Sequence, residues 1–214
     1  MKYVYGIDEA GRGPLAGPIS VGVFGAEKKM EKWLLKNIFP RRQRVGAPTE
    51  TSGENFIRDS KKLSPNKREE IYKKFLLLKK ENKVFFSVSF VSNKIIDEEG
   101  ISKAVRLGIS KSLSPKVLKC KIRLDGLLKA PPKFKNQKTI IKGDEKDVFI
   151  ACASIVAKVS RDRLMCQLAK KYPKYGFEIH KGYGTALHYK LIKKYGLSAI
   201  HRKTFCKNLT ILSK

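Results

Sequence analysis

The tightest constraint on this chain lies at its start. A short apolar run, Tyr3 to Ile7, stops at two adjacent carboxylates, Asp8 and Glu9, and Gly11-Arg12-Gly13-Pro14-Leu15-Ala16-Gly17-Pro18 follows at once. The run reads as a strand over residues 3–8. Within a regular strand, neighbouring side chains point to opposite faces. At a strand end, where the chain bends, both acids can reach one point. Two carboxylates that meet repel each other unless a positive charge lies between them. Hard oxygen donors of this kind suit Mg²⁺ or Mn²⁺. Taken alone, an Asp-Glu pair is more often a solvated turn and Gly-Arg-Gly a loop, so the other segments must decide.

Pro18 to Ala26 reads as a second strand, with Ile19, Val21 and Val23 on one face, and a hairpin with the first would set the glycine turn beside the acids. Glu27 to Ile38 has a helical stripe of Met30, Trp33, Leu34 and Ile38. Pro40, the cluster Arg41, Arg42 and Arg44, and a Gly/Pro/Thr/Ser-rich run to Asn55 read as a long loop, so residues 27–58 form a basic insertion in one domain spanning 1–214. Ser64 is a natural cap and Pro65 a natural first residue for a helix to about Glu81, with Ile71, Phe75 and Leu78 inward. Lys83 to Ser92 alternates as a third strand, with Val84, Phe86, Val88 and Phe90 on one face. Ile101 to Leu113 is helical, Cys120 to Asp125 a fourth strand and Thr139 to Ile141 a short fifth. A long helix then covers about Lys146 to Lys171, with Asp144 as its cap and Asp147 in its first turn. Carboxylates thus recur at strand ends and turns, at Asp8 and Glu9, Asp125 and Asp144. Alternating strands and helices predict an α/β fold with a mixed central sheet flanked by helices.

The formal net charge of +28 on 214 residues repels the chain from itself and attracts polyanions. Nucleic acid is the leading partner and an acidic membrane surface the second. Cys120, Cys152, Cys166 and Cys206 contain no Cys-x-x-Cys pair, which excludes a zinc ribbon or thioredoxin-type site, and Cys152 and Cys166 read as inert core thiols. The start shows no signal peptide, and no long apolar segment occurs, so a cytoplasmic protein is expected. His180, His188 and His201 lack metal-ligand spacing, and surface or packing roles are expected for each.

Asp-Glu-Ala-Gly-Arg-Gly-Pro-Leu-Ala-Gly-Pro from Asp8 resembles the signature of ribonuclease HII, the type 2 ribonuclease H of bacteria and archaea. Further blocks resemble the same family: Asp59-Ser60-Lys61-Lys62-Leu63-Ser64, the helix segment Ala153 to Arg163, His180-Lys181-Gly182-Tyr183-Gly184-Thr185, and Ile200-His201-Arg202-Lys203-Thr204-Phe205, where Thr204 replaces the usual Ser. The resemblance covers nearly the whole chain outside 27–58. It implies the RNase H-like fold with a small C-terminal helical part. It also implies Asp8, Glu9, Asp125 and Asp144 as catalytic, metal-binding acids for two Mn²⁺ or Mg²⁺ ions. Asp8 would bridge the ions, Asp144 would help hold the ion that carries the attacking water, and Asp125 would help hold the other. It places Gly11, Arg12, Gly13 and Tyr183 against an RNA-to-DNA step and Lys61 near phosphate. The implied activity is hydrolysis of RNA in RNA–DNA hybrids and incision 5′ of ribonucleotides embedded in duplex DNA, leaving 5′-phosphate and 3′-hydroxyl ends. Ribonucleotide excision repair and primer removal are the implied biology, and a monomer the implied state. A replication-clamp contact is not readable from the tail. Ribonuclease HIII is the nearest rival, but it usually has Lys at the position of Arg12 and an added N-terminal domain. A non-catalytic basic nucleic-acid-binding protein would explain the charge but not the acids.

Overall fold

The computed structural model describes residues 1–39 and 63–210. Five strands form one mixed sheet: β1 (Tyr3–Ala10), β2 (Ile19–Glu27), β3 (Val84–Val91), β4 (Lys121–Asp125) and β5 (Gln137–Ile140). Their order is β3-β2-β1-β4-β5, with β1 at the centre. β1 and β2 form the expected antiparallel hairpin, in register Ile7↔Val23 and Asp8↔Gly22. β4 lies parallel to β1, ending at Ile7↔Leu124, and β5 lies parallel to β4.

The helices are α1 (Met30–Asn37), α2 (Pro65–Lys80), α3 (Asn93–Glu99), α4 (Ile101–Ser112), α5 (Gly143–Lys146), α6 (Val148–Lys171), α7 (Phe177–His180), α8 (Ala186–Tyr195) and α9 (Lys207–Thr210). They cover both sheet faces. One apolar layer joins Val4, Phe24 and Phe86 to Phe75 of α2 and to Phe149, Ile155 and Val156 of α6. The other joins Ile7, Val21, Val23 and Leu124 to Val105 and Ile109 of α4. The period-2 alternation of β1 therefore sends Val4, Gly6 and Asp8 towards α6, and Tyr5, Ile7 and Glu9 towards the opposite layer.

Helix α6 lies almost on the sheet because two strand positions have no side chain. A Cβ on Gly6 would stand 2.1 Å from the carbonyl carbon of Phe149, and one on Gly22 would stand 2.4 Å from the Ala153 oxygen. Ala151, Cys152, Ala153 and Ser154 supply the small groups on the facing helix, and all four are buried.

Several sequence expectations change. β1 continues to Ala10, because Asp8 and Glu9 stay paired with Gly22 and Val21 and the Ser20 hydroxyl donates to the Ala10 carbonyl at 3.1 Å. The two acids therefore sit within a strand and do not bend to one point. Asp144 does not cap the long helix. Asp147 does, accepting from the N–H groups of Phe149 and Ile150, while Asp144 sits in the separate turn α5. Leu34 of α1 and Ile38 just past its end are buried, but Trp33 is exposed. Phe90 of β3 is exposed as well, and Val91 turns into the core instead. The other face of β3 meets α4 through hydroxyls, with Ser87 Oγ donating to Ser112 O and Ser89 Oγ to Gly108 O. Ser64 caps α2 as expected, accepting from Lys67 N–H. The part of the 27–58 segment from residue 40 onward, with Arg41, Arg42 and Arg44, lies outside the described residues, as does Lys61.

Gly6→Ala should lower stability by about 3 kcal/mol or more, because its methyl group meets helix backbone that cannot rotate away. Gly13→Ala, whose methyl group would meet nothing within 4 Å, should stay within about 0.5 kcal/mol of the parent. Urea unfolding of the two variants checks this, and parental stability for Gly6→Ala would contradict the close approach.

Candidate active site

The site lies where β1 and β4 part. Beyond Ile7↔Leu124 the next residues on the two parallel strands are Asp8 and Asp125. Ile7 and Leu124 share one apolar layer, so Asp8 and Asp125 both turn to the α6 side. Asp125 Oδ1 accepts the N–H of Gly143 at 2.7 Å, which fixes the start of α5 against the strand end and brings the buried Asp144 to the same corner. Lys142, just before it, takes φ +54°, a conformation that costs a non-glycine residue energy and that the Asp125–Gly143 bond helps to hold. Asp8 is 1% exposed, and its Oδ1 accepts the Glu9 N–H at 2.7 Å.

Glu9 stands apart from the three aspartates, since register sends its side chain to the other face. Its Oε1 accepts from Arg12 Nη1 at 3.1 Å, and its buried Oε2 accepts no hydrogen bond among the described residues. A buried carboxylate oxygen without a donor calls for a cation or a donor from outside. The donor chemistry here is all carboxylate, in a chain of net charge +28, and it fits hard divalent ions. Among the described residues, no group of three or more His, Cys, Asp and Glu side chains already stands at metal-holding distance. Asp147 is not part of this set: Arg123 Nη1 meets it at 2.6 Å and also meets Glu31 at 2.9 Å.

The glycine turn is held from behind by two buried guanidiniums that sequence reasoning did not single out. Arg202 donates through Nε to Gly17 O at 3.0 Å, through Nη1 to Arg12 O at 2.9 Å and through Nη2 to Gly11 O at 2.7 Å. Arg161 donates to Pro18 O, Lys181 O and Ala16 O at 2.9, 3.0 and 3.1 Å. Both are 0% exposed. Burial, then the nearby Arg161 charge, pushes Arg202 down to about 9, so it remains cationic at neutral pH. In a trans peptide the carbonyl and the following N–H point in opposite directions, and no peptide bond here is cis. With the Gly11 and Arg12 carbonyls turned onto Arg202, the N–H groups of Arg12 and Gly13 must point away from it. Both residues are exposed, so those amides are offered outward. The carbonyls of Gly11 and Arg12 are therefore committed to Arg202.

Tyr183 stands beside this turn. Gly182 O accepts from the N–H groups of Leu15 and Ala16 at 2.8 and 3.3 Å, which ties the two loops together. The Tyr183 ring is 38% exposed and flanked by Lys158 Nζ at 5.3 Å and Arg161 Cζ at 5.6 Å from its centroid. It forms one end of a groove of about 420 Å³ that Lys158, Arg68, Arg163 and Lys181 also line. Asp162 pairs with Lys158 at 2.8 Å.

The three histidines are all buried beneath Tyr183, in packing rather than surface roles. His180 stacks on His188 with centroids 4.1 Å apart, and His188 Nε2 lies 3.0 Å from His201 Nε2. Burial pushes His188 and His201 down to about 4.

Comparison with known proteins gives the family. The family model described as Ribonuclease HII matches residues 54–208. The Ribonuclease HII of Caldicellulosiruptor bescii is 41% identical over 211 residues, 99% of this chain and 90% of that protein. The ribonuclease H2 of Pyrococcus horikoshii OT3 superposes with a TM-score of 0.68 at 25% identity, covering 99% of this chain and 98% of that one. Bst-RNase HIII, solved in complex with Mn²⁺, matches in fold with a TM-score of 0.70 at 17% identity, covering 99% of this chain and 70% of that one. The mixed sheet with helices on both faces is the RNase H-like fold, and the protein is a nuclease of the ribonuclease H class. Within that class, the chain belongs to the ribonuclease HII family.

Two buried histidines with lowered proton affinity make a prediction about pH. The unfolded chain binds more protons than the folded one between about pH 6.5 and 4, so stability is full above that window and is lost as pH falls through it. The urea midpoint should fall between pH 7 and pH 5, reflecting a loss of unfolding free energy on the order of 2 kcal/mol. An unchanged midpoint would contradict a neutral, buried pair.

Proposed function

We propose that the protein is a metal-dependent endoribonuclease that incises duplex DNA on the 5′ side of an embedded ribonucleotide and cleaves RNA in RNA–DNA hybrids. The observation that carries this reading is the Asp125–Gly143 bond. It fixes the turn that carries Asp144 against the end of β4, next to the strand that carries Asp8, and so supports a shared site for the three acids.

Asp8, Asp125 and Asp144 would hold two Mg²⁺ or Mn²⁺ ions, and Glu9, whose side chain points to the other face, would complete the set through its carbonyl or a turned side chain. Such ions activate water and stabilise the charge that develops on the scissile phosphate and the leaving oxygen. Hydrolysis breaks the P–O3′ bond, so the 3′ oxygen leaves as a hydroxyl and the phosphate stays on the 5′ side of the ribonucleotide. The chain's own share is placement. Arg202 fixes the outward N–H groups of Arg12 and Gly13, which are donors only and can bind a 2′-hydroxyl oxygen, the group that distinguishes RNA from DNA. The exposed Tyr183 ring offers a flat apolar face to the next sugar, where a hydroxyl would be unwelcome. The surrounding cations, Lys158 and Arg163 among them, draw in the phosphate backbone. Ribonucleotide removal and primer removal in a cytoplasmic setting are the corresponding roles.

Asp8→Asn should abolish cleavage, by at least about a thousandfold, while binding to a hybrid is kept or improved. Cleavage at the parental rate would remove the metal assignment. Tyr183→Ala should lose more activity at a single embedded ribonucleotide than on a uniform hybrid, and equal losses would count against junction reading.

A further inference from the structure

We infer that His201 and His188 are positioning residues: a directed N–H···N bond between them makes His188 a fixed donor to the Tyr183 carbonyl and so sets the Tyr183 ring against the Gly11–Gly13 turn. This rests on the reading of Tyr183 as the junction platform.

The direction of each bond is forced by its backbone partners. His201 Nδ1 accepts the Ser198 N–H at 2.8 Å, and a backbone N–H can only donate. A neutral His201 must then carry its proton on Nε2. His188 Nδ1 lies 2.9 Å from Tyr183 O, a carbonyl that can only accept, so His188 carries its proton on Nδ1 and leaves Nε2 bare. The 3.0 Å contact between the two Nε2 atoms therefore runs one way, from His201 to His188. Ser198 N–H, His201, His188 and Tyr183 O form one chain with a single polarity. A proton added to either ring would set two N–H groups face to face.

His180 completes the support with the opposite pattern. Its Nδ1 accepts the Gly182 N–H at 3.1 Å, and its Nε2 donates to Tyr175 O at 2.7 Å. The backbone from 181 to 183 is thus tied at each carbonyl: Lys181 O to Arg161, Gly182 O to Leu15 and Ala16, Tyr183 O to His188 and to Thr185 N–H at 2.9 Å. Lys181 takes φ +53°, so the loop does not adopt its shape freely.

The same short segment holds the other half of the proposed reader. His201 bridges Ala16 in β fashion, Ile200 O accepts the Gly17 N–H at 2.8 Å, and Arg202 grips the Gly11 and Arg12 carbonyls. His201 and Arg202 are consecutive. One sets the platform through His188, and the other sets the amides. A shift of either half changes the spacing at which a hydroxyl-bearing sugar and a hydroxyl-free one are read.

The test separates the bond from its use. Nitrogen NMR of the imidazoles in the intact protein at pH 7.5 should show His201 protonated at Nε2, His188 protonated at Nδ1, and a coupling across the N–H···N bond. The opposite tautomers, or no coupling, would overturn the relay. His188→Gln keeps an acceptor for His201 but loses the donor to Tyr183 O, whereas His188→Asn keeps the donor. Relative to the parent, His188→Gln should lower the ratio of single-ribonucleotide to uniform-hybrid kcat/KM at least tenfold, and His188→Asn should restore most of it. Circular dichroism at the assay temperature confirms that both are folded. If folded His188→Gln lowers both substrates alike, or if Asn is no better than Gln, the histidines only pack. Tyr183→Ala is run alongside. If it is selective and His188→Gln is not, the relay fails alone; if it is not selective, the junction reading fails and takes the relay's role with it.

Discussion

Two buried guanidiniums, with no salt bridge to a carboxylate among the described residues, hold the geometry of this site together. Arg161 and Arg202 together donate to six backbone carbonyls, drawn from the 11–18 segment and from Lys181. Burying a cation is costly unless its donors are satisfied, and truncating one such side chain would leave several carbonyls buried without a donor. A fork of planar donors does this where a lysine could not. The outcome is a loop fixed by its carbonyls, with the N–H groups of Arg12 and Gly13 turned away from Arg202. Positive charge stored beneath the loop also favours an incoming phosphate backbone.

The second constraint is the distance between α6 and the sheet. Gly6 and Gly22 let the helix backbone lie against β1 and β2, and Asp8 follows Gly6 on the same face. Arg161 sits on that same helix, as do Lys158 and the Asp147 cap. Packing of one helix therefore sets the height of the loop, one flank of Tyr183 and the approach to α5. Asp147 is engaged in this framework through Arg123, which also reaches Glu31 of α1. That pairing keeps Asp147 out of the proposed acid set.

Much of this was legible in the sequence where periodicity or a cap signal was strong. The β1–β2 hairpin, the Ser64-Pro65 start of α2, the strand ending at Asp125 and the span of α6 all carry such signals. The Asp144 and Asp147 assignments were exchanged because both are acids before the same apolar run. Only the three-dimensional turn at Lys142, with its positive φ, shows that Asp144 belongs to a separate helical turn. The strand end at Asp8 was set too early because a strand's length depends on its partner: β2 pairs with β1 as far as Ala10, while β4 stops beside Ile7. Phe90 alternates correctly but is exposed, because β3 is an edge strand and burial there depends on which helices cover it. Arg161 and Arg202 could not be picked out among 47 Lys and Arg residues, since burial of a cation leaves no periodic mark. The histidines, 21 positions apart at most, show no shared spacing and meet only after α7 and α8 fold back.

As proposed, these parts make a nuclease that recognises one ribonucleotide inside DNA and requires a divalent ion. The most direct measurement is cleavage of an end-labelled DNA duplex carrying a single ribonucleotide, beside an all-DNA control, with Mg²⁺, with Mn²⁺ and with EDTA. One metal-dependent nick on the 5′ side of the ribonucleotide, ending in a 3′-hydroxyl, with an intact control, is the expected result. Cleavage that persists in EDTA, or that falls on the DNA control as well, would contradict it.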